Sequence, residues 1–195
     1  MSEALSWVRW WAFPWEDAHI DWLTKTGFVE TPALSRSHHG RVSSLFGIEP
    51  ALPPPTSAPL LQLVLSNAQQ RDLALALVNE VYNAPRDSRL NQDQILWCQR
   101  LSKALPPDPI PVSIDDPLHY LRAWVGPLLW QRLRLRFARQ RVLELEQHPR
   151  LADTHSRLDT LWKATIWRAT ATGIDEAQRA PPRETRACFA PTRLS

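Results

Sequence analysis

The chain has 195 residues, of which 44% are hydrophobic and 22% charged, with 23 basic against 20 acidic side chains. This composition fits one globular domain or a domain with tails, and no apolar run approaches the roughly 18 residues that cross a bilayer. The 18 prolines against 5 glycines predict several short helices joined by rigid connections.

The N-terminal residues carry no apolar core of an export signal, and the two cysteines, Cys98 and Cys188, lie far apart in the sequence. We therefore expect reduced thiols and a cytoplasmic protein, with no membrane-spanning segment.

Four tryptophans crowd the segment WWAFPWEDAHIDWL at residues 10–23. The segment could be a membrane-interface anchor, a nucleobase-stacking platform, an acid/base site, or the edge of a core that docks onto another protein. Proline followed by two carboxylates favours a helix start, so we predict a short helix from Trp15 to Lys25 that ends at Gly27. Trp22 is then expected to be buried, and Trp10 or Trp11 to be partly exposed. The acidic side chains disfavour contact with anionic lipid.

The next segment, residues 30–58, has the composition of a linker, with serines, adjacent histidines and the run LPPPTSAP. We predict that residues 1–58 form an extended, Trp-rich N-terminal arm with one short helix and a Pro-rich linker. The helical core domain is predicted over residues 59–172.

Two helical blocks follow. Leucines at spacings of three and four predict a central helical region over residues 59–83, which a cap at Ser66 or Asn67 divides into a short and a longer helix. A further helix is predicted over residues 92–104, with Cys98 on its apolar side as a buried side chain.

A long helix is predicted over residues 118–147, broken only at Gly126-Pro127, and a last helix over residues 151–172 that ends at Gly173. Residues 121–195 hold fourteen basic and seven acidic side chains, a net charge of +7. On the long helix we expect Arg132, Arg136 and Arg139 to line one exposed side. Residues 173–195 are predicted to be a disordered basic and Pro-rich tail.

The sequence contains no pattern that is typical of a catalytic, phosphate-binding or metal-binding site. The 5 glycines form no phosphate-binding loop, and no zinc, calcium or metalloprotease spacing surrounds the histidines. The tight carboxylate pairs, Glu16 with Asp17 and Asp115 with Asp116, are typical of helix caps. We predict no catalytic, cofactor-binding or metal-binding residues, no cofactor and no small-molecule substrate, and thus a protein that is not an enzyme.

Three segments carry a resemblance to a known family. They are RWWAFPWEDAHIDWL near the N-terminus, LLQLVLSNAQQRDLALALVNEVY in the middle and LHYLRAWVGPLLWQRLRLRF after it. The aromatic and proline stretch, the paired Leu-rich helices and the Leu/Arg run with its proline break are similar to those of SctK-type accessory proteins of the bacterial type III secretion sorting platform.

The resemblance implies a non-enzymatic cytoplasmic adaptor. Such a protein joins the cytoplasmic domain of the inner-membrane ring protein to the spoke protein, and so meets the membrane only indirectly. We expect an all-α, irregular multi-helix single domain whose partner-binding residues include Arg132, Arg136, Arg139, Trp10, Trp11 and Trp15. The less favoured alternative is a nucleic-acid-binding regulator that uses the same arginines.

Overall fold

The computed structural model describes residues 2–27, 37–85, 87–105, 115–151 and 157–171, with the helical backbone continuing to residue 179. Over these ranges the chain is all-α, as predicted, and contains no strand. The α-helices are α1 (Glu3–Ala12), α2 (Ile20–Thr26), α3 (His39–Leu45), α4 (Ala58–Leu65), α5 (Ala68–Asn83), α6 (Gln92–Ala104), α7 (Leu118–Leu133), α8 (Arg139–Glu146) and α9 (Arg157–Arg179). The segments Pro14–Asp17 and Arg134–Arg136 are 3₁₀ turns.

Helix α5 lies at the centre of the fold, which confirms the prediction for this block. It packs against α6 on one side and against α9 on another, and α9 also contacts α4 and α7. Leu77 and Val78 of α5 are fully buried, as are Leu158 and Trp162 of α9. The core is therefore built around two long helices that cover each other with aliphatic and aromatic side chains.

The predicted division at Ser66-Asn67 is confirmed, and its cause is a capping box. The Asn67 side chain accepts a hydrogen bond from the Gln70 N–H, and the Gln70 side chain accepts one from the Asn67 N–H. Asn91 and Gln94 repeat this arrangement at the start of α6. Both helices thus begin where their first backbone donors find side-chain acceptors.

The N-terminal segment is not the extended arm that the sequence predicted. Residues Glu3–Ala12 form α1, which Ser2 caps, and α1 packs against α4. Trp7, Trp10 and Trp11 follow the i, i+3, i+4 spacing that places side chains on one helix face, and all three lie in the core. The predicted start at Pro14 is correct, but Pro14–Asp17 is a 3₁₀ turn, and the α-helix begins only at Ile20.

The part of the predicted linker that the structure describes, residues 37–58, also contributes to the core. Helix α3 buries Val42, and Phe46 and Ile48 follow it into the interior. The carbonyl of Ala51 accepts a 2.9 Å hydrogen bond from the indole of Trp11. The prediction of a plain linker was therefore wrong for this stretch, although residues 48–57 form no helix.

The break predicted at Gly126-Pro127 is confirmed, because Gly126 has φ 78° and ψ 169° inside α7. The uninterrupted helix predicted beyond it to residue 147 was wrong. The chain tightens into a 3₁₀ turn at Arg134–Arg136, becomes extended at Phe137 (φ −111°, ψ 157°) and starts α8 at Arg139. The prediction assumed one continuous apolar stripe and did not include this change of chain direction.

The last helix, α9, buries the predicted stripe of Leu158, Trp162, Ile166 and Ala169. Its predicted end at Gly173 was wrong, since the helix continues to Arg179. The segment predicted as a tail lies outside the described residues from 180 onward. Within the ranges that the structure describes, no helix is both long enough and apolar enough to cross a membrane.

Candidate functional site

Arg132 does not belong to an exposed basic face, which corrects the prediction. It is only 4% exposed, and its guanidinium lies 3.8 Å from the ring centroid of Trp11. Its donors reach the carbonyls of Trp11 at 3.1 Å, Glu49 at 3.2 Å and Leu128 at 3.2 Å. Burial lowers the pKa of Arg132 below its ordinary value. The side chain therefore ties α7 to the end of α1 and to the segment after α3.

Arg136 is also directed inward, with its side chain 5% exposed. It donates to the carbonyl of Val64 at 2.5 Å and to Oδ2 of Asp17 at 2.5 Å. Burial lowers the pKa of the guanidinium, while the charge and hydrogen bond of Asp17 act in the opposite direction. Arg136 thus joins the second 3₁₀ turn to the end of α4, whose last carbonyls lack helical partners.

Arg139 also differs from the prediction of one shared helix side, because it lies on a different element from the other two arginines. It begins α8 and is half-buried, with its guanidinium 5.5 Å from the ring centroid of Trp22. Trp22 is buried, as predicted, and donates from its indole to the carbonyl of Phe137 at 2.9 Å. The extended residue Phe137 separates Arg136 from Arg139, so the three arginines do not share one side of a helix.

The tryptophans expected at a partner interface form part of the core. Trp10 and Trp11 are each 5% exposed, which contradicts the prediction of partial exposure, and Trp15 is fully buried. The Trp15 ring stacks on Phe46 with an interplanar angle of 11°. Because these rings are covered, they do not form a contact surface themselves. Trp10, however, lines an open cleft, and its buried indole N–H has no hydrogen-bond partner among the described residues.

We call this feature the arginine cleft. It has a volume of about 600 Å³ and lies between α1, the first 3₁₀ turn and the junction of α4 with α5. Its charged side chains are Arg9, Glu16, Asp17, Arg71 and Arg136. Three cations against two carboxylates leave a net charge of +1, and the N-terminus of α5 adds the positive end of a helix dipole.

Arg71 is the member of the arginine cleft that the sequence did not single out. It donates from Nη1 to the carbonyl of Ser66 at 2.6 Å, and Arg136 approaches the same carbonyl at 3.4 Å. Burial and the nearby charge of Arg136 lower the pKa of Arg71 to about 10, although Asp72 and Asp17 act against this shift. Arg71 lies in the first turn of α5 on a polar face, and nothing in the neighbouring sequence indicates that Arg136 lies close to it.

The carboxylates at the rim are held less firmly than the side chain of Arg136. The side chain of Asp17 is 60% exposed although it contacts the buried Arg136. Glu16 accepts a 2.9 Å hydrogen bond from Nε of Arg9, whose side chain is also largely exposed. The cleft therefore presents guanidinium donors that the fold positions, next to acidic side chains that solvent can reach. Such an arrangement can bind an oxyanion.

A second recess, the α5 cleft, has a volume of about 660 Å³ and shares no lining residue with the arginine cleft. Leu73, Ala76 and Asn79 of α5 line it together with Arg89 and Arg141. Arg141 is held by two hydrogen bonds to Asp116, at 2.7 and 2.8 Å. The described part of the chain therefore offers at least two separate concave surfaces.

Cys98 is another reactive group that the sequence drew attention to. Cys98 is buried, as predicted, and its thiol lies 3.5 Å from the carbonyl of Leu77. Desolvation and the nearby charge of Glu80 raise the pKa of Cys98 to about 12, while Arg168 acts in the opposite direction. In the described ranges, no group of three or more His, Cys, Asp or Glu side chains is placed to hold a metal ion.

A scan against protein-family models finds no match. Comparisons with curated proteins and with solved structures likewise find no similar protein.

Proposed function

We propose that this protein is a non-enzymatic adaptor of a type III secretion sorting platform, located at the cytoplasmic face of the inner membrane. In this role it would link the cytoplasmic domain of the inner-membrane ring protein to the spoke protein. The three sequence segments that resemble SctK-type proteins support the proposal, and the all-α fold agrees with what that resemblance implies.

The observation that carries the proposal is the pair of clefts. A linker needs two surfaces that different partners can occupy at the same time, and the arginine cleft and the α5 cleft share no residue. Exposed apolar side chains occur on the elements that line the arginine cleft, including Leu65, which lines the cleft itself, and Leu5 and Val8 on α1. Apolar side chains next to positioned charges are typical of protein interfaces.

The nucleic-acid alternative depended on three exposed arginines. Two of them, Arg132 and Arg136, have buried side chains that donate to backbone carbonyls within the fold. Arg132 is enclosed, and Arg136 lies in a cleft beside Glu16 and Asp17, so these arginines form no exposed row that could follow a phosphate backbone, and we do not propose nucleic-acid binding.

The proposal is tested by direct binding between purified proteins. The full chain is immobilised and presented separately with the ring-protein domain and the spoke protein from the same genome. We expect saturable binding of both. Charge reversal of Arg89, which is exposed in the α5 cleft, should weaken binding of one partner only.

Arg100→Glu provides the matched control, because Arg100 is exposed on α6 and lies in neither cleft. It should leave both interactions unchanged. If neither protein binds the wild-type chain, the adaptor proposal is wrong.

A further inference from the structure

We propose that the arginine cleft receives an acidic side chain of a partner protein, whose carboxylate displaces Asp17 from Arg136 and is held by Arg71 as well. This inference rests on the proposed adaptor function and names the chemistry of one partner.

Arg136 is fixed before any ligand arrives. Its side chain is almost fully buried, and its Nη1 donates to the carbonyl of Val64, so the guanidinium has a defined position among the residues that line the cleft. The Nε atom of Arg136 is buried and has no hydrogen-bond partner among the described residues. A side chain that is already ordered loses little conformational freedom on binding, which favours recognition of a ligand at this point.

Asp17 behaves as an internal ligand that can be replaced. Its carboxylate meets Nη2 of Arg136, but its side chain is 60% exposed and extends from a short 3₁₀ turn. Loss of Asp17 without a replacement would leave the buried Arg136 cation unpaired, whereas exchange for another carboxylate keeps the cation paired and lets the exposed Asp17 side chain turn into solvent. A carboxylate from outside that makes additional hydrogen bonds can therefore take its place.

Arg71 supplies those additional hydrogen bonds. Its one hydrogen bond among the described residues uses Nη1, and no carboxylate of the described ranges lies within ion-pair distance of it. Its other donors are therefore available to a ligand. Burial beside Arg136 makes the Arg71 cation costly, as its lowered pKa of about 10 indicates, and an added negative charge relieves this cost.

The surroundings favour a peptide carboxylate over a free phosphate. The net charge of the cleft is +1, which one carboxylate neutralises, whereas the rim carboxylates of Glu16 and Asp17 repel a dianion more strongly. The exposed Leu65, next to the covered ring of Trp10, provides apolar surface on which the carbon chain of an acidic peptide can rest. The neighbouring indole N–H of Trp10 has no partner within the described part of the fold.

The test measures binding of a fluorescein-labelled hexaglutamate peptide to the full chain by fluorescence anisotropy at low ionic strength. We expect Arg71→Gln to weaken binding by about tenfold or more, since it removes charge-assisted hydrogen bonds. Asp17→Asn should strengthen binding by about threefold or more, because it removes the competing carboxylate. Arg100→Gln, which removes an exposed arginine of α6, should change affinity by less than about twofold.

Equal affinities for wild type, Arg71→Gln and Arg100→Gln would overturn the inference, as would weaker binding by Asp17→Asn. Circular dichroism confirms that each variant is folded, and Asp17→Asn alone decides the matter if Arg71→Gln does not fold. Inorganic phosphate is titrated in parallel. Binding of phosphate that depends on Arg71, without binding of the peptide, would also contradict the inference.

The result can be separated from that of the adaptor proposal. If the wild-type chain binds the ring protein or the spoke protein, and Arg71→Gln binds each of them as tightly as wild type does, the adaptor function stands and the inference about the cleft fails. If the wild-type chain binds neither protein, the adaptor function fails, and the peptide titration still tests the cleft.

Discussion

Arg132 shows how single arginines hold this fold together from the inside. The carbonyl of Trp11 lies in the last turn of α1 and that of Glu49 in an irregular segment, and neither carbonyl belongs to a continuing helix. Arg132 donates to both and covers the Trp11 ring. One side chain thus replaces the missing backbone partners of two separate segments.

Replacement of Arg132 by methionine should lower the free energy of unfolding by about 2–4 kcal/mol. The methionine fills similar space but leaves the two carbonyls without donors. Urea denaturation of the variant and wild type measures the difference. Arg100→Met is the control and should change stability by less than about 0.5 kcal/mol; an equal effect of both substitutions would remove the structural role of Arg132.

Asp116 gives a second prediction at this scale, concerning pH. Partial burial opposes ionisation of its carboxylate, but the hydrogen bonds from Arg141 and from the Leu118 N–H outweigh this effect and lower its pKa. Ionised Asp116 therefore stabilises the folded state above its ordinary pKa of about 3.9, and this contribution disappears as the pH falls through the lower folded value.

Asp116→Asn isolates that contribution, because asparagine can still accept the hydrogen bond from Leu118. We expect the stability advantage of wild type over the variant to be constant above about pH 5 and to shrink below about pH 4. Chemical denaturation at several pH values measures it. A difference between the two proteins that does not vary with pH would show that the pair with Arg141 is irrelevant to folding.

At the scale of elements, Gly126 determines how α7 continues past its middle. Its φ of 78° and ψ of 169° lie in a region that is essentially restricted to glycine. A Cβ at this position would meet only Nη2 of Arg150, at an ordinary 3.8 Å. The requirement for glycine therefore comes from the backbone conformation and not from crowding.

Gly126→Ala should accordingly destabilise the protein by about 1–3 kcal/mol. Gly40→Ala is the matched control, since Gly40 lies in α3, has no positive φ, and a Cβ added there would meet no atom within 4 Å. That control should be neutral or stabilising by up to about 1 kcal/mol. Thermal unfolding of both variants provides the comparison, and equal melting temperatures would refute the role assigned to Gly126.

Elements with strong local signals were predictable from sequence. The Asn67 cap, the helix over residues 92–104 and the break at Gly126 depend on neighbouring residues, and all three are confirmed. The second 3₁₀ turn was not predictable, because the Leu/Arg run that contains it fits a helix locally. The turn is held by distant contacts, including the 2.7 Å hydrogen bond from the His19 N–H to the carbonyl of Leu135.

The arginine cleft illustrates the same limit for the candidate site. Arg136 was singled out from the sequence, but as an exposed residue on a continuous helix. Its actual neighbours, Asp17, Val64 and Arg71, come from three other parts of the chain. Only the tertiary fold brings these residues together, so periodicity along one segment could not reveal the cleft.

At the scale of the whole molecule, the division into an N-terminal arm and a separate core does not describe the packing. Trp7, Trp10, Trp11, Trp15 and Trp22 belong to one hydrophobic cluster with α4, α5 and α9. The segment that carries most of these tryptophans is therefore part of the domain, and loss of one of its rings should affect the stability of the whole domain.

Trp15→Ala should lower the free energy of unfolding by about 3–5 kcal/mol, because Trp15 is fully buried and its removal leaves a large cavity. Val8→Ala, at an exposed position of α1, should cost less than about 0.5 kcal/mol. Denaturant titration followed by far-UV circular dichroism measures both. An unchanged transition for Trp15→Ala would mean that the N-terminal segment is an independent arm after all.

The proposed role of the whole molecule is to link two partners through separate surfaces. The most direct measurement is size-exclusion chromatography with light scattering on the full chain mixed with the ring-protein domain and the spoke protein. We expect a single species whose mass requires all three proteins, formed only when the chain is present. Mutually exclusive binding of the two partners, or no complex with either, would contradict this role.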